Sequence, residues 1–189
     1  MPFNVPIALT WLRIAIIPFF VALFYAPESL LAVALRDSIA AWLFIVAAIT
    51  DWFDGWLARR WNQTSSFGAF LDPVADKLMV SAALLVLLHL DRVGSLVALI
   101  IIGREITISA LREWMAQIGA GASVAVHWLG KFKTAAQMLA IPCLLHHQDW
   151  FGLPVALIGQ VLIWVAAALT VWSMFYYLKK AWPEIQARA

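Results

Sequence analysis

The sequence predicts an all-α polytopic membrane protein with six transmembrane helices, arranged as a single integral-membrane domain over residues 1–189. Two observations carry that expectation. Hydrophobic residues make up 64% of the chain and charged residues only 13%, and the mean hydropathy is +0.87, more apolar surface than a soluble domain of this length buries. The apolar residues also fall into stretches of about 20, the length a helix needs to cross a hydrocarbon core of roughly 30 Å.

The first stretch, Ile7–Tyr25, has no basic region before it and no small-residue cleavage site after it, so it reads as a retained helix rather than a signal peptide. Asp37–Ala58 and Gly68–Leu90 follow, joined by the polar connection Arg59–Phe67. The fourth, Val93–Met115, leads into a longer connection, Ala116–Leu129, whose glycines allow it to bend or lie along the interface. Loops of that kind often carry function. Gly130–His147 and Leu153–Leu178 complete the set, and Trp182–Ala189 reads as a fraying tail. Most of the eleven Trp residues fall near span ends, as interfacial anchors do, with Trp42 and Trp164 nearer span middles. Cys143 stands alone, which excludes a disulfide framework within one chain.

Lys and Arg are distributed unevenly. Arg59, Arg60, Arg112, Lys131, Lys133, Lys179, Lys180 and Arg188 cluster at one set of span ends, against Arg36 and Arg92 at the other. The positive-inside rule then puts both termini and the Asp51–Asp76 connection on the cytoplasmic side of the membrane. No nucleic-acid partner is expected, because the basic residues follow span ends rather than forming a patch.

Four aspartates, Asp51, Asp54, Asp72 and Asp76, interrupt this apolar pattern within 26 residues. Helical positions three or four apart share a face, so Asp51, Asp54, Gly55 and Ala58 form one stripe, and Gly68, Asp72 and Asp76 form another on the next helix. A short turn makes the two helices antiparallel neighbours with facing stripes. Unpaired carboxylates so placed repel one another or take up protons, and Asp51 and Asp54 also sit at a helix C-terminus, where the dipole disfavours negative charge. A bound cation resolves both problems. Hard oxygen ligands without nearby His or Cys indicate Mg²⁺ or Mn²⁺, as a pair of ions. The missing β-carbons of Gly55 and Gly68 suit a nucleotide or diphosphate lying against the metals. Taken singly, Asp72 before Pro73 also fits a helix N-cap, and the glycines also fit helix-packing contacts.

The string D-x-x-D-G-x-x-A-R-x₈-G-x-x-x-D-x-x-x-D, from Asp51 to Asp76, resembles the signature of the CDP-alcohol phosphatidyltransferase family at every position. The resemblance implies metal ligation by all four aspartates, with Asp76 as general base, and a CDP site lined by Gly55, Ala58, Arg59 and Gly68. The stretches 4–13, 103–115 and 123–137 are similar to the bacterial branch of that family that uses glycerol 3-phosphate as acceptor. The partners implied are CDP-diacylglycerol, glycerol 3-phosphate, membrane lipids and a second copy of the chain in a homodimer.

An acceptor phosphate needs cations near the metal site. Arg104 and Arg112 lie eight residues apart on similar faces of the fourth span, with Arg104 roughly 12 Å deeper. A buried arginine needs a partner, and its planar fork suits phosphate, although Glu105 offers an internal ion pair instead. Lys131 and Lys133 open the fifth span and reach the same region, or serve only as positive-inside lysines. Thr10 and Arg13 are further candidates for the nucleotide or lipid diphosphate. His89, His127, His146 and His147 lack metal-ligand spacing with the aspartates. Two other functions fit part of this pattern: a family member with another acceptor (inositol phosphate, serine or phosphatidylglycerol), and a divalent-cation transporter with carboxylates between helices.

Overall fold

The computed structural model describes residues 5–61, 66–119 and 128–186, without the side chains of residues 5, 6, 54, 55, 57–59, 66, 69 and 128–131. Its described residues form six α-helices: α1 (Val5–Ala22, extended by a 3₁₀ turn at Leu23–Tyr25), α2 (Val33–Arg60), α3 (Ser66–His89), α4 (Ser95–Gln117), α5 (Trp128–His146) and α6 (Val155–Gln186). Three segments, Ile7–Tyr25, Val33–Phe53 and Val155–Gln186, are long and apolar enough to cross a membrane by length and composition alone. α3 is interrupted by Asp72, Asp76 and Lys77, and α4 by Arg104, Glu105, Arg112 and Glu113. Trp42 and Trp164, the two expected near span middles, point outward at 58% and 57% exposure, as lipid-facing side chains do.

Of the expected fraying tail, residues 182–186 are helical instead and continue α6 to Gln186. Packing explains the difference. Tyr177 and Ala181 are buried against Ile108 and Met115 of α4, with Ile185 joining the same cluster, so tertiary burial rather than local propensity extends the helix. α4 ends where Gly119 adopts φ +77° and its N–H donates to the Ala116 carbonyl at 3.1 Å, a left-handed stop that glycine takes without a Cβ penalty.

α5 and α6 form the most extensive helix pair, while α1 packs on α3, α2 on α5, and α4 on α6. Gly159 lets α6 approach α5, since a Cβ there would stand 2.8 Å from Leu144 Cγ and 3.1 Å from Cys143 Cβ. Gly159→Val is therefore expected to cost about 1–3 kcal/mol by overpacking, read as a lower melting temperature in detergent. An unchanged melting temperature would mean that the two helices have room to spare.

The larger apolar core, with Phe20, Phe44, Leu84, Leu87, Ile101, Ile141, Leu145 and Ile163 among its members, fills one half of the bundle. The smaller cluster between α4 and α6 lies towards the C-terminal ends of those helices. Along α4, Arg104 falls between the two clusters, and along α6 Thr170 and Ser173 do the same. A polar layer thus separates the two apolar regions.

The far end of the bundle holds a different polar group. Asp37, 2% exposed, pairs with Arg92 and more distantly with Arg36 at 3.4 Å. Arg92 also donates through Nη1 to the carbonyls of Leu144 at 3.2 Å and Leu145 at 2.8 Å, near the C-terminus of α5, where carbonyls lack helical partners. Its own carbonyl accepts from Gln160 Nε2 at 2.6 Å. One guanidinium therefore ties the start of α2, the α3–α4 connection and the end of α5. His146 meets Ser38 at 3.3 Å there, and His89 stacks on Tyr25.

Candidate active site

The C-terminal half of α2, the first turns of α3 and the middle of α4 enclose a cavity of ≈ 690 Å³, with Thr134 from α5 and Tyr177 from α6 completing the wall. Asp51, Asp72 and Asp76 all line it, so three of the four signature aspartates meet at one cavity. The Asp54 side chain lies outside the described residues, as do those of Ala58, Arg59 and Lys131 and the surroundings of Gly55. His127 and most of the connection after α4 lie outside them too. Gly68 is buried near the start of α3.

Two polar residues of α1 reach the carboxylates. Thr10 Oγ1 donates to Asp72 Oδ1 at 2.7 Å, and Arg13 forms an ion pair with Asp51 Oδ1. Thr10 and Arg13 are 1% and 2% exposed, and neither is among the residues lining the cavity. Each occupies one oxygen of its carboxylate. Oδ2 of Asp51, Oδ2 of Asp72 and both oxygens of Asp76 accept no hydrogen bond among the described residues. Open carboxylate oxygens in a half-buried cleft have the donor chemistry of a site for a hard divalent cation. No three His, Cys, Asp or Glu among the described residues are grouped closely enough to hold a metal by themselves.

The cavity lining also holds cations, alongside the carboxylates of Glu105 and Glu113. Lys77, Arg104 and Arg112 line the same cavity. Arg104, 7% exposed, donates through Nη1 to Glu105 at 3.2 Å and through Nη2 to Ser173 at 3.4 Å, with its guanidinium 5.8 Å from the Tyr177 ring. The internal ion pair that sequence reasoning weighed against phosphate binding is therefore present. It leaves Arg104 on the cavity wall, its Nε without a partner among the described residues. Lys133 is 1% exposed and pairs with Glu105 from behind, outside the lining of the main cavity. Lys77 and Arg112 form no ion pair among the described residues, which leaves both cations open to an incoming anion.

Several of these residues escaped sequence reasoning. Lys77 follows Asp76 directly but falls off the i, i+4 stripe that drew attention to the aspartates. Tyr177 and Ser173 come from α6, whose apolar run hides them, and Glu105 was read only as a competitor for Arg104. Their common signal is burial of a polar group in an apolar helix, which is costly without a partner.

A family model described as CDP-alcohol phosphatidyltransferase matches residues 3–172. A protein named CDP-diacylglycerol–glycerol-3-phosphate 3-phosphatidyltransferase from Pectobacterium atrosepticum is 51% identical over 183 residues, and one of the same name from Salmonella typhimurium is 52% identical over 183 residues, each covering 96% of both chains. A third of that name, from Yersinia enterocolitica, is 50% identical over 187 residues and 98% of both chains. Asp51, Asp72 and Asp76 thus line one cavity in a chain that belongs to the CDP-alcohol phosphatidyltransferase family.

Proposed function

We propose that the chain transfers the phosphatidyl group of CDP-diacylglycerol to glycerol 3-phosphate, giving phosphatidylglycerophosphate and CMP. One observation carries the reading: three signature carboxylates (Asp51, Asp72, Asp76) and three cations (Lys77, Arg104, Arg112) line the same cavity. The first set suits a metal-bound diphosphate and the second an acceptor phosphate. The near-full-length identity to proteins named for this reaction supports the choice of acceptor.

In this reading Asp51, Asp54, Asp72 and Asp76 would hold Mg²⁺ or Mn²⁺, as a pair of ions. Ions held by these carboxylates would supply Lewis-acid neutralisation of charge on the diphosphate and on the departing CMP. Thr10 and Arg13 fix the rotamers of Asp72 and Asp51, so that the remaining oxygens are pre-aimed. Asp76 takes the proton from the sn-1 hydroxyl of the acceptor as that oxygen attacks the phosphorus attached to the diacylglycerol. The new P–O bond forms as the bond to the CMP oxygen breaks, and CMP leaves with that electron pair. Arg104 and Arg112, helped by Lys77 and Lys131, hold the acceptor phosphate and turn a bimolecular encounter into a positioned one. Lys133 acts through Glu105 rather than on the acceptor directly.

The same reading places the protein in the bacterial inner membrane as a homodimer, with the site and both termini on the cytoplasmic side, where the soluble acceptor is found. A panel of acceptors tests the choice of substrate: CMP release with glycerol 3-phosphate supports it, and release only with serine, inositol phosphate or phosphatidylglycerol would replace the acceptor within the same family. Activity is expected to vanish in chelator and return with Mg²⁺ or Mn²⁺; full activity in chelator would defeat the metal assignment. Arg112→Ala is expected to raise KM for glycerol 3-phosphate about 10-fold or more, the scale of one charge-assisted hydrogen bond, with KM for CDP-diacylglycerol little changed. Equal changes in both would argue against an acceptor-specific role.

A further inference from the structure

Beside the main cavity, across Asp76, lies a second chamber of ≈ 40 Å³ lined by Asp76, Lys77, Glu105, Thr134 and Gln137 together with apolar residues. The two spaces share Asp76, Lys77, Glu105 and Thr134 in their walls. The chamber exceeds the roughly 10–15 Å³ that one water-sized group needs.

Two of its side chains have unused hydrogen-bonding capacity. Gln137 is 3% exposed, and its buried Oε1 has no hydrogen-bond partner among the described residues. A buried amide left in that state is destabilising, so a native structure normally supplies it with water or ligand. Glu105 is anchored through one oxygen only: Oε1 accepts from Lys133 Nζ and from Arg104 Nη1, the latter at 3.2 Å. Oε2 accepts no hydrogen bond among the described residues, and the side chain is 21% exposed. Lys133 is almost wholly buried, and Arg104 is held in turn by Ser173, so Glu105 is a fixed acceptor rather than a mobile one.

A hydroxyl carries one donor and two lone pairs, a carboxylate only accepts, and a carboxamide does both. The Glu105 carboxylate takes the single hydrogen of an alcohol, and the Gln137 carboxamide, whose oxygen and nitrogen exchange places by a half-turn of the amide, donates to the alcohol oxygen. In glycerol 3-phosphate the carbon next to the reacting one carries such a group, and Asp76 is the shared wall between reaction site and chamber. We infer that the chamber receives the 2-hydroxyl of the acceptor, which makes Glu105 and Gln137 positioning residues that select a polyol phosphate over a simple alkanol phosphate. The inference rests on the acceptor reading given above.

The test compares glycerol 3-phosphate with propane-1,3-diol monophosphate, which lacks the 2-hydroxyl and keeps the attacking alcohol and the phosphate. The wild-type protein is expected to prefer glycerol 3-phosphate at least about 10-fold in kcat/KM, because a site built around a hydroxyl is left unpaired by an analogue lacking it. Gln137→Leu replaces an orphaned amide with an apolar group of similar size and is expected to fold at least as well. It should narrow the preference about three- to tenfold by slowing only the glycerol 3-phosphate reaction. Glu105→Gln, which keeps the shape and removes the charge, should narrow it in the same sense. A purely structural role would scale both substrates equally and leave the ratio unmoved. Equal use of the two acceptors by the wild type, or an unchanged ratio in both variants, overturns the inference while leaving the functional reading intact. Failure to use glycerol 3-phosphate when another acceptor works overturns that reading and the inference with it.

Discussion

Replacing Asp76 by asparagine is expected to slow phosphatidyl transfer by about 10²–10⁴-fold, the usual worth of a positioned general base. The substitution is nearly isosteric, and Asp76 accepts no hydrogen bond among the described residues, so no internal contact is lost with it. It also removes one of the five carboxylates lining the same cavity (Asp51, Asp72, Asp76, Glu105 and Glu113), which relieves like-charge repulsion. The variant should therefore melt no lower than the wild type in detergent and still bind CDP-diacylglycerol, while single-turnover transfer collapses. Near-normal turnover would remove Asp76 as the base. A large loss accompanied by a raised Mg²⁺ requirement would show that its role as a metal ligand dominates.

Asp37→Ala is expected to have the largest effect on stability, a loss of about 3–5 kcal/mol, because it leaves one partner of a buried ion pair uncompensated. Arg92 would keep its contacts to the Leu144 and Leu145 carbonyls but lose its carboxylate. The knot joins the start of α2, the α3–α4 connection and the end of α5, so its loss should loosen the far end of the bundle first. Asp37 is not among the residues lining the cavity, so kcat and KM per folded molecule should stay near wild type. Thermal unfolding in detergent, paired with activity of the folded fraction, checks both parts. A melting temperature within a degree or so of wild type would mean that water reaches the pair and that it contributes as little as a surface salt bridge.

These two predictions bear on parts of the molecule that were unequally legible in the sequence. The six helices follow from apolar runs of membrane-spanning length, and the aspartates stand out because carboxylates are rare in such runs and helical spacing puts them in stripes. Both signals are local. Asp37 and Arg92 were visible only as charges near span ends, because their pairing joins residues 55 positions apart. Thr10 on Asp72 spans 62 positions, and Arg104 on Ser173 spans 69. Periodicity carries no information at such separations. Glu105 shows the limit most clearly: adjacency suggested a partner for Arg104, but only the packing of α5 against the same region adds Lys133 and leaves one carboxylate oxygen open to the chamber. The tail from Trp182 misled for the opposite reason, since its charged and proline-containing sequence lacks a strong local signal while Ile185 joins the cluster that Tyr177 and Ala181 form with α4.

The most direct test of the central claim follows radiolabelled glycerol 3-phosphate into the lipid phase, alongside CMP release, with purified protein in detergent, CDP-diacylglycerol and Mg²⁺. Label entering lipid in equal amount to CMP released, and neither appearing in chelator, is the predicted result. CMP release without label in lipid, or no CMP with any acceptor while divalent metal crosses sealed vesicles, would contradict it.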